Sequence, residues 1–162
     1  MGLHRGGLFV RESGRFDPVG GSDGLEVQNF ISSAQAARDG VVWAGTLGDG
    51  LYGMKDGREV HYTTANGLAD DNVLAVCSDA DAGIWVSTGA GTIHHFAGQS
   101  MIPSDAMEAP MGTPVTTMIP AAGGLWLGTQ DGQILRWENE KFTVVEESKN
   151  LGNFPILVLN EG

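Results

Sequence analysis

The pentapeptide Ile84-Trp85-Val86-Ser87-Thr88 decides the fold, because it occurs three times. It appears earlier as Val42-Trp43-Ala44-Gly45-Thr46 and later as Leu125-Trp126-Leu127-Gly128-Thr129, which sets the tryptophans 42 and 41 residues apart. Outward from these segments, apolar runs begin at Phe30, Val73, Val115 and Ile156, spaced 43, 42 and 41. Related turns precede them at Asp23-Gly24-Leu25, Asn66-Gly67-Leu68 and Asn150-Leu151-Gly152. A third marker, Gly7-Leu8-Phe9, is matched by Gly50-Leu51-Tyr52, Gly91-Thr92-Ile93 and Gly132-Gln133-Ile134. Three markers in one register identify a repeat, and everything else is read against that period.

Each period of about 42 residues holds four short strands. The first is an apolar run such as Val73 to Cys77, followed by an Asp/Gly turn. The second carries the tryptophan, the third runs from Thr92 to Phe96, and the fourth, such as Lys141 to Glu146, is more polar. Inner strands rich in apolar residues have both faces covered, and a polar fourth strand suits an outer edge. Four strands and 40–45 residues per unit are the dimensions of a β-propeller blade. The fold class is therefore all-β, a β-propeller segment of four-stranded antiparallel blades. An open β-sandwich has no need for the same tryptophan three times in register.

We divide the chain as one propeller segment, 1–162. Residues 1–23 end a blade, 24–65, 66–107 and 108–148 form three blades, and 149–162 supply the first strand of a further one. Both ends are thus expected to fall inside a blade, leaving blade faces open for a larger ring or for homo-oligomer formation.

Composition agrees. The 25 glycines and 6 prolines suit many strands joined by tight turns. Acidic residues outnumber basic ones 20 to 9, for a formal charge of −11. Such a surface repels phosphate backbones and anionic headgroups, so no nucleic-acid partner and no direct membrane contact are expected. Cys77 is the only cysteine, which rules out an intrachain disulfide or a cysteine metal cluster, and its apolar neighbours mark it as a small core residue. No apolar run is long enough to span a bilayer, and the first residues carry no apolar segment of the signal-peptide kind.

Sharper chemistry finds little support. His94 and His95 are neighbours on a strand and point to opposite faces, so they cannot chelate one ion together, and no metal site is expected. Gly89-Ala90-Gly91 lacks the spacing and the following helix of a phosphate loop and reads as a turn. No nucleophile elbow is present, so no catalytic residues are assigned and no cofactor is expected. Asp70-Asp71 and Asp79-Ala80-Asp81 offer too few oxygens for a calcium loop and read as solvated turn carboxylates. A binding surface, if the chain has one, belongs on the loops leading into the innermost strands. These contribute Gln28, Asn29, Asp70, Asp71, Asn72, Thr113 and Asn153, whose amides, hydroxyls and carboxylates suit the hydroxyls of a small polar ligand.

The stretch Asn66-Gly67-Leu68-Ala69-Asp70-Asp71-Asn72-Val73, running on to Asp81-Ala82-Gly83-Ile84-Trp85-Val86-Ser87-Thr88, resembles the repeat of the two-component regulator propeller family. Three or four copies cover essentially the whole chain. Ser87 stands where the pattern has Gly, and the segment from Pro110 to Val115 lacks the Gly-Leu element. The resemblance implies a periplasmic, non-catalytic sensor propeller in a hybrid histidine kinase or diguanylate cyclase protein, with a small molecule or oligosaccharide as ligand. Two other readings stay open. A scaffold propeller binding protein partners would show an exposed aromatic patch, and a streptogramin-lyase-like propeller would gather a His and acidic residues on one face.

Overall fold

The computed structural model describes residues 9–12, 15–18, 30–79, 83–97, 100–101, 106–145 and 152–159. The tryptophan segments all form strands, because β-branched and aromatic residues pack well on a pleated surface and each run ends in a glycine-rich turn. β1 (Phe9–Glu12) and β2 (Arg15–Pro18) pair as a hairpin. The first full blade is β3 (Ile31–Ala36), β4 (Val42–Thr46), β5 (Leu51–Lys55) and β6 (Arg58–Tyr62), antiparallel and in chain order. The second has β7 (Val73–Ser78), β8 (Ile84–Thr88) and β9 (Thr92–Ala97). Its outer edge is divided between β10 (Ser100–Met101) and β11 (Met107–Glu108), both paired to β9. The third is β12 (Val115–Ala121), β13 (Gly124–Thr129), β14 (Ile134–Glu138) and β15 (Lys141–Val144).

The innermost strands meet side by side: β7 packs on β3 and β12. Each carries the same irregularity after its first residue. Ile31 pairs with Thr46, Val73 with Thr88 and Val115 with Thr129, and the register then shifts by one. Such a bulge bends and twists the strand. Pairing also corrects one landmark. Ile31, not Phe30, is the counterpart of Val73, and Phe30 is 85% exposed. Hydrophobicity alone placed the strand start one residue early.

The tryptophans occupy equivalent positions, as the repeat requires. Trp43 pairs across to Gln35 and Gly53, Trp85 to Cys77 and His95, and Trp126 to Ile119 and Arg136. Two of them wedge between blades. Trp43 is 1% exposed and meets Phe96 of the second blade, and Trp85 meets Trp137 of the third. The core accordingly lies between blades, with Trp43, Val73, Val76, Ile84 and Phe96 in one cluster and Cys77, Val115, Leu125, Leu127 and Leu135 in the next. A buried indole removes roughly 150–250 Å² from water, the largest single contribution any residue makes to such an interface.

The invariant threonine closing each tryptophan strand has a local task. Thr46, Thr88 and Thr129 are buried, and their hydroxyls donate to the carbonyls of Gly50, Thr92 and Gln133 across the following turn. That turn needs a left-handed residue, supplied by Gly50 (φ 72°) and Gly132 (φ 88°).

Hydroxyls also join blade to blade. Ser32 Oγ donates to the Val73 carbonyl at 2.5 Å, and Thr116 Oγ1 to that of Ile156 at the same distance. Leu74 occupies the corresponding place in the second blade and has no hydroxyl to offer. There Ser87 Oγ donates to the Val115 carbonyl at 2.7 Å instead. Ser87 therefore departs from the Gly45 and Gly128 pattern for a reason. At Gly45 a Cβ would collide with Val73, and at Gly128 with Ile156, whereas the second blade uses that space for its replacement hydroxyl.

Ile156 to Leu159, expected from sequence as a lone first strand, form no strand. Ile156 is nevertheless in its place, donating through its N–H to Thr129 O at 3.0 Å.

Candidate functional site

The loops leading into the inner strands were the expected binding surface, and those among the described residues lie at one end of the blades. Asp70, Asp71 and Asn72 are brought together in the loop before β7. That loop starts from a single 3₁₀ turn, Thr64–Asn66, capped by Thr63. Asp71 clamps the turn: its carboxylate accepts from Thr64 N at 2.7 Å and from Thr64 Oγ1 at 3.2 Å. Asp70 Oδ1 accepts from Asn72 N at 3.0 Å and Asn72 Nδ2 at 2.9 Å. The Asp71 carbonyl in turn receives Gly48 N and Gly50 N from the first blade. These carboxylates, expected as solvated turn groups, are acceptors for the loop's own donors, so the loop is held in one shape. Thr113 and Asn153 stand before the third blade's first strand and before Ile156, each in its own loop. Thr113 is half-buried and its N–H reaches Pro110 O, while Asn153 is exposed. Gln28 and Asn29 lie outside the described residues.

His94 supports the same loop from below. It is 4% exposed, and its Nε2 accepts the Ala69 N–H at 3.2 Å. Burial pushes its pKa down from the ordinary imidazole value, which keeps the ring neutral and able to accept.

A groove lies at the opposite end of the same strands. β7 runs from the Asn72 loop at one end to Ser78 and Asp79 at the other, about 20 Å away at roughly 3.3 Å per residue. There a groove of about 620 Å³ opens between the second and third blades. Asp79, Trp85 and His95 form one wall, Trp137 and the turn from Pro120 to Gly124 form the other, and Arg38 of the first blade reaches its rim. The Trp85 and His95 rings stack at 4.0 Å, and the two indoles meet at 5.1 Å with their planes 60° apart.

Asp79 fixes this arrangement. Its Oδ2 lies 2.7 Å from His95 Nε2, and its Oδ1 accepts the Gly83 N–H at 2.7 Å. Asp79 is thus a positioned partner for an imidazole, a correction to its reading as a solvated turn carboxylate. His95 and His94 do face opposite ways, one into this groove and the other beneath the Asn72 loop.

A related stack stands in the first blade. Tyr52 and His61 lie 4.0 Å apart and nearly parallel, and Tyr52 donates to Asp49 at 2.7 Å. Burial and the Asp49 carboxylate both push the Tyr52 hydroxyl well above its ordinary pKa. Cys77 is buried beneath the groove wall, its thiol pushed up to about 12 by burial and by Asp79. Among the described residues, no three His, Cys, Asp or Glu side chains gather as metal ligands.

Two signals could have revealed the groove from sequence. One is the aligned column Gly53, His95 and Arg136, which faces the repeated tryptophan across the sheet. The other is Trp137, the one tryptophan outside the repeat, at the position of Phe96.

No protein-family model matches the chain, and no match is found among curated proteins. Solved structures do match. The extracellular domain of a protein described as the hybrid two-component system BT3049 of B. thetaiotaomicron superposes with a TM-score of 0.57 at 20% identity, over 75% of this chain. That of BT4673 from the same organism gives 0.52 at 18% identity over 84%. The chain spans 19% of the length of each. In fold, then, the chain is similar to these two extracellular domains.

Proposed function

We propose that the chain is a non-catalytic, ligand-sensing propeller segment of a periplasmic or extracellular signalling protein, coupled to a histidine kinase or diguanylate cyclase. A small molecule or oligosaccharide is its ligand. The observation that supports this reading is the fold itself, which is similar to that of extracellular domains described as belonging to hybrid two-component systems. Polar, internally braced loops at one end of the blades and a mixed aromatic and polar groove at the other are features of binding surfaces. Incubating the chain with a panel of oligosaccharides and small metabolites tests the reading. Thermal stabilisation without chemical change of the bound compound is the expected result. Conversion of that compound to product, abolished by one substitution in the groove, would overturn it.

A scaffold role has one observation in its favour. Phe154, Leu157 and Val158 form an exposed apolar stretch beside the third blade. We assign that stretch to contact between copies of this chain, a role compatible with sensing.

A further inference from the structure

Asn66-Gly67 is the only Asn-Gly pair in the 162 residues, and it sits where the first blade hands over to the second. In such a pair the glycine nitrogen can attack the asparagine side-chain carbonyl, because glycine carries no side chain to obstruct the approach. Both residues are exposed, so water reaches them. The fold nevertheless holds the reacting groups apart. Asn66 closes the 3₁₀ turn Thr64–Asn66, and a helical backbone points the following N–H along the turn axis, away from the side chain. Both ends of its amide are tied down: Oδ1 accepts the Thr63 N–H at 2.6 Å, and Nδ2 donates to the His61 carbonyl at 2.8 Å. From the other side, the Asp71 carboxylate clamps Thr64 through its N–H and its hydroxyl.

We propose that Asn66 is a site of spontaneous deamidation, guarded by the folded loop, and that its conversion loosens the junction between the first and second blades. The Gly67 nitrogen gives up its proton to solvent and bonds to Asn66 Cγ. The Cγ–Nδ2 bond breaks, ammonia leaves with a proton taken from water, and a cyclic imide remains. Water then opens the imide at either carbonyl, giving aspartate or isoaspartate. No oxidant, reductant or enzyme is needed. Imide formation is far slower than loop opening, so its rate is the rate in a free peptide multiplied by the fraction of chains with the loop open. Both products lose the Nδ2 donor to the His61 carbonyl and add a negative charge to a turn that already holds the Asp71 carboxylate. Isoaspartate also lengthens the main chain just ahead of Leu68, which is buried in the core shared by the first two blades and donates its N–H to the Thr63 carbonyl. Beyond Leu68 comes Asp71, whose carbonyl receives Gly48 N and Gly50 N from the first blade. The inference stands apart from the reading of the chain as a sensor.

Parallel incubations in warm, mildly alkaline buffer test this with the folded chain, the chain unfolded in urea, and Asp71→Ala. Ion exchange resolves the added charge, and peptide mapping places it at Asn66. The unfolded chain is expected to convert at the rate of a free Asn-Gly peptide, the folded chain at least about tenfold more slowly, and Asp71→Ala between the two. Hydrogen exchange in Asn66→Asp, which reproduces the aspartate product, reads the consequence. The amides of Gly48 and Gly50 are expected to exchange several-fold faster than in the parent, while that of Gly132 in the third blade is unchanged. A folded chain that converts as fast as the unfolded one, or an Asn66 that survives in the unfolded chain, would overturn the guarded site. Unchanged exchange at Gly48 and Gly50, or equal acceleration at Gly132, would overturn the effect on the junction.

Discussion

The indole of Trp43 lies directly against the backbone of Gly53, so closely that an added Cβ would sit 2.6 Å from its Cζ3. Gly53 has an ordinary backbone conformation, so an alanine there is excluded by the neighbouring ring and not by strain. Gly53→Ala is expected to destabilise the chain by about 1–3 kcal/mol through overpacking. Trp43→Ala, which empties the interface, should cost about 3–5 kcal/mol. Urea midpoints of the two variants measure this. A Gly53→Ala chain as stable as the parent would show that the ring does not pack where it is placed.

Ser87 and Leu74 make a second pair of linked positions. The Ser87 hydroxyl supplies the contact to Val115 that Ser32 and Thr116 supply in the other blades. Ser87→Ala removes a buried donor and leaves the Val115 carbonyl without that partner, at a cost of about 1 kcal/mol. Thr116→Val should cost a similar amount at the next junction. Because the two sites bridge different junctions, the double variant is expected to be additive to within about 0.5 kcal/mol. Strong coupling between them would mean that the junctions are not independent.

The periodic features were legible from residues alone because each is written locally and repeated: the tryptophan strand, its closing threonine and the glycine turn. What was not legible depends on pairing across strands. Trp85 and His95 are ten residues apart and meet only through the register of β8 with β9. Read by itself, His95 invited only a question about metal binding. Asp79 looked like one more turn carboxylate until the imidazole was placed beside it. The start of β3 was misplaced for a related reason. Phe30 is the larger hydrophobe, but the bulge after Ile31 fixes which residue faces inward.

His94 gives the chain a definite response to pH. The folded state holds this imidazole neutral, with Nε2 accepting the Ala69 N–H, and its pKa lies below the ordinary value of 6.5. The unfolded chain therefore takes up the proton first as pH falls, and protons favour unfolding. Stability attached to this group is complete above about pH 6.5 and declines below it, down to the lower pKa of the folded state. His94→Gln keeps an acceptor for Ala69 and removes the titration. Its urea midpoint should vary less than that of the parent between about pH 5 and 7. An identical pH slope in both proteins would remove His94 as the source.

The segment beside the third blade yields the last expectation. Ile156 is pinned to Thr129 and Thr116, yet Phe154, Leu157 and Val158 are 77%, 74% and 77% exposed. Half-buried Trp126 lies on the adjoining strand β13, with Arg136 over its ring. In the first blade, the corresponding surface is covered by the next blade, with Trp43 buried against Phe96. Three large apolar side chains left in water within five residues favour association, since each fully buried aliphatic or aromatic side chain contributes about 1.5–3 kcal/mol. The chain is expected to self-associate with rising concentration through this surface, a tendency visible in sedimentation velocity. Leu157→Asp together with Val158→Asp should return it to a monomer at every concentration. Cys77 provides the control for folding: buried, with its thiol pushed up to about 12, it should resist a thiol reagent equally in the parent and the double variant. A parent chain that stays monomeric throughout, or a double variant that associates as before with Cys77 still protected, would show that this surface is not the contact.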